Sequence, residues 1–262
     1  MVTIIIVIYK SDKKKLLKIL NKFNNKFNII LVDNSNNYDF SGVKITKKIK
    51  IIRSHNAGNG AGINIGLKKC KTKFAIYTDI DVDFKNSVLN NLLSYAKKIK
   101  DFSVLVPNHG NLISKSELIK KFSGEGSMML FNVNKIKKLG FFDEKFFLYF
   151  EEADLFLRIK RSNQNVYFTP KIKIIHNRAS SITSFKLENL RAWHYMWSMF
   201  YFYRKNFGFF NALSKTYLFL IKDFIMLFKL LFEMDIQNVK IRFYRLFGLM
   251  SSIIGFKSFL RP

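Results

Sequence analysis

Residues 2–9 read VTIIIVIY, and residues 10–25 continue KSDKKKLLKILNKFNN. The first stretch is a continuous, mostly β-branched apolar run, which predicts a strand buried on both faces. In the second stretch apolar residues recur at helical spacing, at Leu16, Leu17, Ile19, Leu20 and Phe23. A buried strand followed by an amphipathic helix is the repeating unit of mostly parallel sheets.

The same alternation continues along the chain. Mostly apolar runs at residues 28–32, 49–52 and 74–78 predict three more strands, and residues 62–71 predict the helix between the last two. We therefore expect an α/β fold with a mostly parallel central sheet and helices on both faces. In such folds ligands bind beyond the carboxyl ends of the strands.

Composition narrows the class of protein. The 48% apolar content and 29 Phe among 262 residues indicate a folded chain with more aromatic surface than a soluble domain needs. The net charge of +27 favours anionic partners, or it reflects an AT-rich genome. Basic residues are spread along the whole chain, so we expect no nucleic-acid binding.

Cys70 is the only cysteine, which excludes an intrachain disulfide and fits a reducing cytoplasm. The N-terminal run has its lysines after it and is not typical of a signal peptide.

An acidic segment, TDIDVD at residues 78–83, follows the strand at 74–78. Asp79 and Asp81 are two residues apart, so on extended backbone their carboxylates point the same way. Paired carboxylates suit Mn²⁺ or Mg²⁺ beside a diphosphate. The alternative is a solvated acidic turn.

A glycine-rich segment, HNAGNGAGINIG, occupies residues 55–66. Gly58, Gly60, Gly62 and Gly66 would let backbone amides approach a phosphate or a sugar. A dinucleotide-binding oxidoreductase is the alternative, but the glycine spacing departs from that fingerprint and the segment follows the third predicted strand.

The third block is FFDEKFFLYFEEADLFLRI at residues 141–159. Glu151, Glu152 and Asp154 are crowded among aromatic residues, which would raise a carboxyl pKa and suit a general base. The same acids could instead stabilise a helix N-terminus.

The order of these blocks, with VDNSN at residues 32–36 before them and KIKIIH at 171–176 after them, resembles the family 2 glycosyltransferases, and among these the rhamnosyltransferase-like members. The resemblance covers roughly residues 2–184. It implies a GT-A fold, a nucleotide-diphosphate sugar donor (dTDP- or UDP-linked), Mn²⁺ or Mg²⁺, and inversion at the anomeric carbon. The implied acceptor is a glycan or a lipid-linked sugar of cell-surface polysaccharide synthesis.

Carried over residue by residue, the resemblance implies that Glu152 is the base, with Glu151 as a supporting acid and Asp154 as the next candidate. Asp79 and Asp81 would hold the metal, and His176 would complete the metal site or else make a single strand-end hydrogen bond. Asp33 would contact the donor nucleoside. The implied donor-binding set is Asp33, Asn56, Gly58, Gly60, Asn64 and Asp79.

Three positions depart from the family pattern. Lys10 follows Tyr9 where the family has Asn, Asp79-Ile80-Asp81 replaces Asn-Pro-Asp, and Glu152 replaces Asp. The last change extends the base by one methylene group.

Composition shifts near Ser184, which predicts a catalytic domain at residues 1–184 and an amphipathic helical region at 185–262. The uncharged stretches 192–203 and 246–256 are too short to span a membrane. Lysines spaced by seven form one stripe, at Lys215, Lys222 and Lys229. They leave an expected apolar face of Phe210, Leu213, Tyr217, Leu220, Phe224, Leu227 and Leu231.

This pattern predicts a peripheral protein on the cytoplasmic face of the cell membrane, aided by a net charge of +8 and by the aromatic cluster Trp193, Trp197, Tyr201 and Tyr203. The same face could instead pack on the catalytic domain or form a homodimer. A nonenzymatic basic membrane-binding protein is a further alternative, but it leaves the three blocks unexplained.

Overall fold

The chain folds into two compact units. The computed structural model describes residues 2–23, 26–110, 113–177 and 185–262. One unit comprises Met1–Asp143 and Glu152–Ser181, and the other comprises Glu144–Glu151 and Ile182–Pro262. The second unit therefore includes a short segment from the middle of the chain, which no sequence pattern indicated.

Strands and helices alternate up to residue 177. In chain order the elements are β1 (Val2–Ile8), α1 (Lys13–Phe23), β2 (Asn28–Asp33), β3 (Ile49–Arg53), α2 (Asn59–Lys69), β4 (Phe74–Thr78), β5 (Val82–Asp83), α3 (Ser87–Lys98), β6 (Phe102–Asn108), β7 (Ile119–Lys120), β8 (Met128–Asn132), α4 (Val133–Lys138), α5 (Glu151–Arg161), β9 (Asn165–Lys173) and β10 (Ile175–His176).

The central sheet has the strand order β3-β2-β1-β4-β8-β6-β9-β7, and β10 pairs with β5 in a separate two-stranded sheet. Strands β3, β2, β1 and β4 are parallel neighbours, as are β6 and β9, whereas β8 and β7 are antiparallel to their neighbours. The prediction of an α/β fold with a mostly parallel sheet is confirmed. Since parallel strands end at one edge, the loops after Asp33 and Thr78 lie along that edge.

Strand β1 is central because its residues are apolar on both faces. It lies between β2 and β4, and all its residues except Val7 are buried. Helix α1 begins after Asp12, whose carboxylate accepts a hydrogen bond from the Lys15 amide at 2.9 Å, as an N-cap residue does. The helix buries Leu16, Ile19, Leu20 and Phe23 in the same hydrophobic cluster as Ile4, Ile6 and Leu31.

The glycines of α2 serve packing rather than phosphate approach at two of the four predicted positions. A Cβ at Gly62 would lie 2.7 Å from Val7 Cγ1, and one at Gly66 would overlap Ile5 Cγ2. Both glycines therefore let α2 pack directly on β1. The prediction that Gly62 and Gly66 admit a ligand is wrong, because side chains of β1 fill that space.

The second unit is a set of three long helices: α6 (Phe185–Phe207), α7 (Phe209–Phe232) and α8 (Ile236–Ile254). Helices α6 and α8 pack closely at Gly248, where an added Cβ would overlap the carbonyl oxygen of Trp193. Helices α7 and α8 are joined by two ion pairs to one buried carboxylate: Arg242 and Arg245 donate to Asp223 at 2.6 and 2.7 Å.

The structure divides the apolar face that the sequence predicted for α7. The buried side of α7 holds Ala212, Thr216, Asp223 and Leu230, and Leu213 and Leu220 pack against the interior. Of the expected apolar face, Phe210, Tyr217, Phe224 and Leu231 are exposed, whereas Leu213, Leu220 and Leu227 are not. The three lysines of the predicted stripe are exposed, but the expected apolar face is divided between exposed and partly buried residues, because the buried side of α7 is centred on Ala212, Thr216, Asp223 and Leu230.

The tryptophans of α6 are also inside the second unit. Trp193 and Trp197 are buried, and the Trp197 indole donates to the Phe256 carbonyl at 3.0 Å. Their predicted place at a membrane interface is wrong, because helix packing covers both rings. None of the helices that the structure describes combines the length and the apolar character of a membrane-spanning segment.

Candidate active site

Asp79, Asp81 and His176 converge at the carboxyl edge of the sheet. Asp79 follows β4, and its amide donates to the Ser127 carbonyl at 2.8 Å. His176 arrives from β10, where it pairs with Val82 of β5. The imidazole Nε2 lies 3.3 Å from Asp81 Oδ1 and 3.9 Å from Asp79 Oδ2. The structure thus brings together the three predicted metal ligands.

These three side chains fit a divalent cation. One ligand atom from each lies within 4.8 Å of the other two. Two carboxylates and a neutral imidazole suit Mn²⁺, and the carboxylates suit Mg²⁺. Burial raises the pKa of Asp79 to about 7, and the charges of Asp81 and Glu152 add to this rise. A cation would offset that repulsion and hold Asp79 ionised.

Glu125, His109 and Ser127 extend this cluster, and the sequence analysis missed all three. Glu125 Oε2 lies 3.8 Å from His176 Nδ1 and 3.9 Å from His109 Nε2. His109 shares a hydrogen bond with Ser127 Oγ at 2.7 Å. Two sequence signals could have identified them: a lone acid between glycines at residues 124–126, and a histidine directly after a strand.

Glu152 lies beside the loop that carries Glu125, and its role as the base stays a prediction. It is the second residue of α5, and it lies beside Gly126, where an added Cβ would approach the Glu152 Cβ to 3.4 Å. Burial raises the pKa of Glu152, and the charge of Glu125 raises it further. A carboxylate with a raised pKa accepts a proton more readily near neutral pH.

The neighbouring acids have other surroundings. Glu151 is buried at the first residue of α5. Asp154 is fully buried and accepts a hydrogen bond from Arg158 Nε at 2.8 Å. Arg158 also donates to the carbonyls of Leu139 and Phe141 at 2.7 and 2.6 Å. Asp154 therefore stabilises the fold through Arg158, and its catalytic assignment stays a prediction.

A strained turn directly precedes α5. Tyr149 and Phe150 have φ angles of 68° and 66°, which bulky residues rarely adopt and which cost about 1–3 kcal/mol each. Within the second unit this turn packs on α6: both rings contact Tyr195, and Ser198 Oγ donates to the Leu148 carbonyl at 2.8 Å. These contacts fix the turn from which α5 begins.

The glycine-rich segment lies near the acidic cluster through Tyr77. The Tyr77 hydroxyl contacts both the Asp79 carboxylate and the Asn59 side-chain oxygen. Gly58 precedes α2 with φ 109°, and its amide donates to Asn56 Oδ1 at 3.2 Å. Gly60 is buried in the first turn of the helix. The donor contacts of Asn56, Gly58 and Gly60 stay predictions.

Two predicted donor contacts have protein partners in the structure. Asp33 is fully buried, and its carboxylate accepts hydrogen bonds from Ser35 and from the Tyr38 amide. Asn64 pairs with the Phe142 backbone in both directions, at 3.0 Å each way. Asp33 thus shapes the loop after β2, and Asn64 links α2 to the loop after α4. Their donor contacts stay predictions.

This sheet has the architecture of the GT-A glycosyltransferase fold, with an Asp-x-Asp pair and a histidine at its carboxyl edge. The chain belongs to glycosyl transferase family 2, whose family model matches residues 3–155, more than half of the chain. The family prediction is confirmed, and the rhamnosyltransferase-like subgroup stays a prediction.

Individual relatives are distant. The chain is 21% identical over 215 residues to the low-salt glycan biosynthesis hexosyltransferase Agl10 of Haloferax volcanii, covering 70% of this chain and 69% of that protein. It is similar in structure to the mannosyltransferase PcManGT of Pyrobaculum calidifontis, solved with GDP-Man and Mn²⁺, with a TM-score of 0.60 and 11% identity, covering 96% of this chain and 86% of the other.

A second similar structure is GalNAc-T7 with UDP, GalNAc and Mn²⁺, with a TM-score of 0.59 and 15% identity over 67% of this chain. The chain spans 43% of GalNAc-T7, less than half of that protein. At these identities the structural likeness shows the GT-A fold.

Proposed function

We propose that this chain is an inverting, metal-dependent hexosyltransferase that uses a nucleotide-diphosphate sugar. The observation that carries the proposal is the convergence of Asp79, Asp81 and His176 at the edge of the sheet. Glu152 is close enough for its charge to raise the pKa of Asp79. The similar structures support a nucleotide-sugar donor, because they contain UDP or GDP-Man with Mn²⁺.

The reaction is a single displacement. Glu152 takes the proton of an acceptor hydroxyl while that oxygen forms a bond to the anomeric carbon. The bond from the anomeric carbon to the diphosphate breaks on the opposite side, which inverts the configuration, and the nucleoside diphosphate leaves with the electron pair. A base is needed because a sugar hydroxyl is a poor nucleophile near neutral pH.

Asp79, Asp81 and His176 would hold Mn²⁺ or Mg²⁺, which when bound supplies positive charge to stabilise the diphosphate leaving group. Glu125 lies on the Nδ1 side of His176, opposite the ring nitrogen that lies nearest the two aspartates. It would hold the ring so that Nε2 is free to act as a ligand, as carboxylates beside metal-bound histidines do.

The finer proposals concern donor and acceptor. We propose a dTDP- or UDP-linked sugar as donor, and as acceptor a glycan or lipid-linked sugar of cell-surface polysaccharide synthesis at the cytoplasmic face of the membrane. The name of the Haloferax relative, a glycan biosynthesis hexosyltransferase, supports transfer of a hexose to a glycan.

Binding of the metal and of the donor nucleotide is tested by measuring the Tm with Mn²⁺ and different nucleoside diphosphates, because a ligand that binds the native state raises the Tm. We expect the rise in the wild-type protein and its loss in Asp81→Ala. The matched control is Asp83→Ala, two residues away, because Asp83 pairs with Lys18 and Lys22 instead. A full rise in Asp81→Ala, or sugar transfer that persists in excess chelator, would contradict the metal proposal.

A further inference from the structure

Helix α7 is apolar on its exposed side as well as on its buried side. Six exposed residues form a strip that we call the α7 face: Tyr217, Ile221, Phe224, Ile225, Phe228 and Leu231. Each is between 49% and 67% exposed. At about 100° per residue these positions span an arc of about 120°. The opposite side of the helix carries the buried residues that pack within the second unit.

The apolar surface continues to the last residue of the helix and into the turn after it. Phe232 is 93% exposed, and Met234, in the turn before α8, is 84% exposed. Single exposed apolar residues are common on soluble proteins, but a continuous patch of this kind marks an interaction surface. The α7 face therefore requires a partner that is itself apolar.

Charge identifies that partner. Three lysines, Lys215, Lys222 and Lys229, lie about 100–140° around the helix from the centre of the α7 face. They are next to the edge of the face that Ile225 forms. Residues 185–262 carry 12 basic and 4 acidic residues, a net charge of +8. Lysine stems can lie along an apolar surface while their ammonium groups reach anionic headgroups. A second copy of this chain, with its own net charge of +27, would add like charge instead.

We propose that the α7 face is a peripheral docking surface for an anionic lipid bilayer. Helix α7 lies in the plane of the interface, with its aromatic and aliphatic side chains among the acyl chains and its lysine row at the headgroups. The inference extends the proposed function, since docking would deliver the enzyme to lipid-linked acceptors. Binding is measured without donor, so its failure would leave the transfer reaction standing.

The test is flotation of the full chain with vesicles of phosphatidylcholine alone or with roughly 30% phosphatidylserine, at low and high salt. We expect binding to the anionic vesicles, weakened by salt. Phe224→Asp with Phe228→Asp should reduce binding more than tenfold, because two apolar anchors become anionic. Changing the three lysines to Gln should reduce binding to anionic vesicles about a hundredfold, since each contributes a factor of about five.

Ile113→Asp is the matched control, because Ile113 is 98% exposed in the first unit, outside the α7 face. It should float as the wild type does. The proposal is overturned if the wild-type chain stays soluble with anionic vesicles at low salt, or if the Phe224 and Phe228 changes leave flotation intact. It is also overturned if these changes instead dissolve a dimer that forms without vesicles, which would assign the α7 face to a second copy.

Discussion

Gly248→Ala tests whether the close crossing of α6 and α8 holds the second unit together. The added Cβ would overlap the Trp193 carbonyl oxygen and lie 2.9 Å from its carbonyl carbon and 3.0 Å from its Cα. Ordinary carbon contacts are about 3.5–4.0 Å, so the helices must separate by about 0.5–1 Å. The obstacle is backbone, which cannot rotate away as a side chain can.

The magnitude follows from two opposing effects. Overpacking a close contact costs about 3 kcal/mol at the upper end of the usual range. Replacing Gly by Ala within a helix stabilises it by about 1 kcal/mol. We therefore expect Gly248→Ala to lower the free energy of unfolding by about 2 kcal/mol.

The assay is urea unfolding followed by tryptophan fluorescence. Trp193 and Trp197 are the only tryptophans of the chain, and both lie in α6, so the signal reports on the second unit. The control is Ser251→Ala on the same helix. Ser251 is buried, and its hydroxyl has no hydrogen-bond partner among the described residues, so its removal should be neutral or stabilising. An unchanged or higher urea midpoint for Gly248→Ala would refute the close-crossing argument.

Three further predictions concern single side chains. Glu152→Gln should lower turnover by about 10²–10⁴-fold while donor affinity is unchanged, because the amide cannot accept a proton. Single-turnover kinetics, with donor affinity measured separately, would show whether the change affects turnover or binding. Burial lowers the pKa of His194 to about 4, below the unfolded value of about 6.5. The free energy of unfolding should therefore fall by up to about 3 kcal/mol as the pH drops from 6.5 towards 4. This pH dependence of unfolding should flatten in His194→Gln, and a dependence unchanged in that variant would assign it elsewhere. Asp223→Ala should cost about 3 kcal/mol in urea unfolding, because Arg242 and Arg245 lose their shared carboxylate, and a loss below about 1 kcal/mol would show that the pair is well solvated.

Strands β1 to β4 of the first unit could be predicted from sequence nearly to the residue, whereas β5 to β8 were not predicted. The run at 74–78 is β4 without change, and β1 ends at Ile8 where the pattern suggested Tyr9. Strands β1, β2 and β4 are recognisable in the sequence because both of their faces are buried, which gives a nearly continuous apolar run in each. The Asp79, Asp81 and His176 set was also predictable, through the family resemblance.

What the sequence could not show depends on contacts distant along the chain. Glu125 and His109 join the acidic cluster only because β6, β8 and β4 are neighbours in the sheet. Gly66 is needed because Ile5 lies against α2, and a glycine needed for packing has the same letter as one that admits a phosphate. The burial of Asp223 could not be predicted, since the pattern of α7 gives no information about two arginines on α8.

The pairing of His176 with Val82 has a consequence for how the protein is made. A ribosome adds about 5–20 residues per second, so residues 82–176 take about 5–20 seconds to synthesise after Asp81. During that interval the nascent chain contains both aspartates without the strand that delivers the histidine. The set of three proposed ligands therefore arises only when β10 closes against β5, and a chain that stalls before that point would lack one of the three side chains proposed to hold a cation.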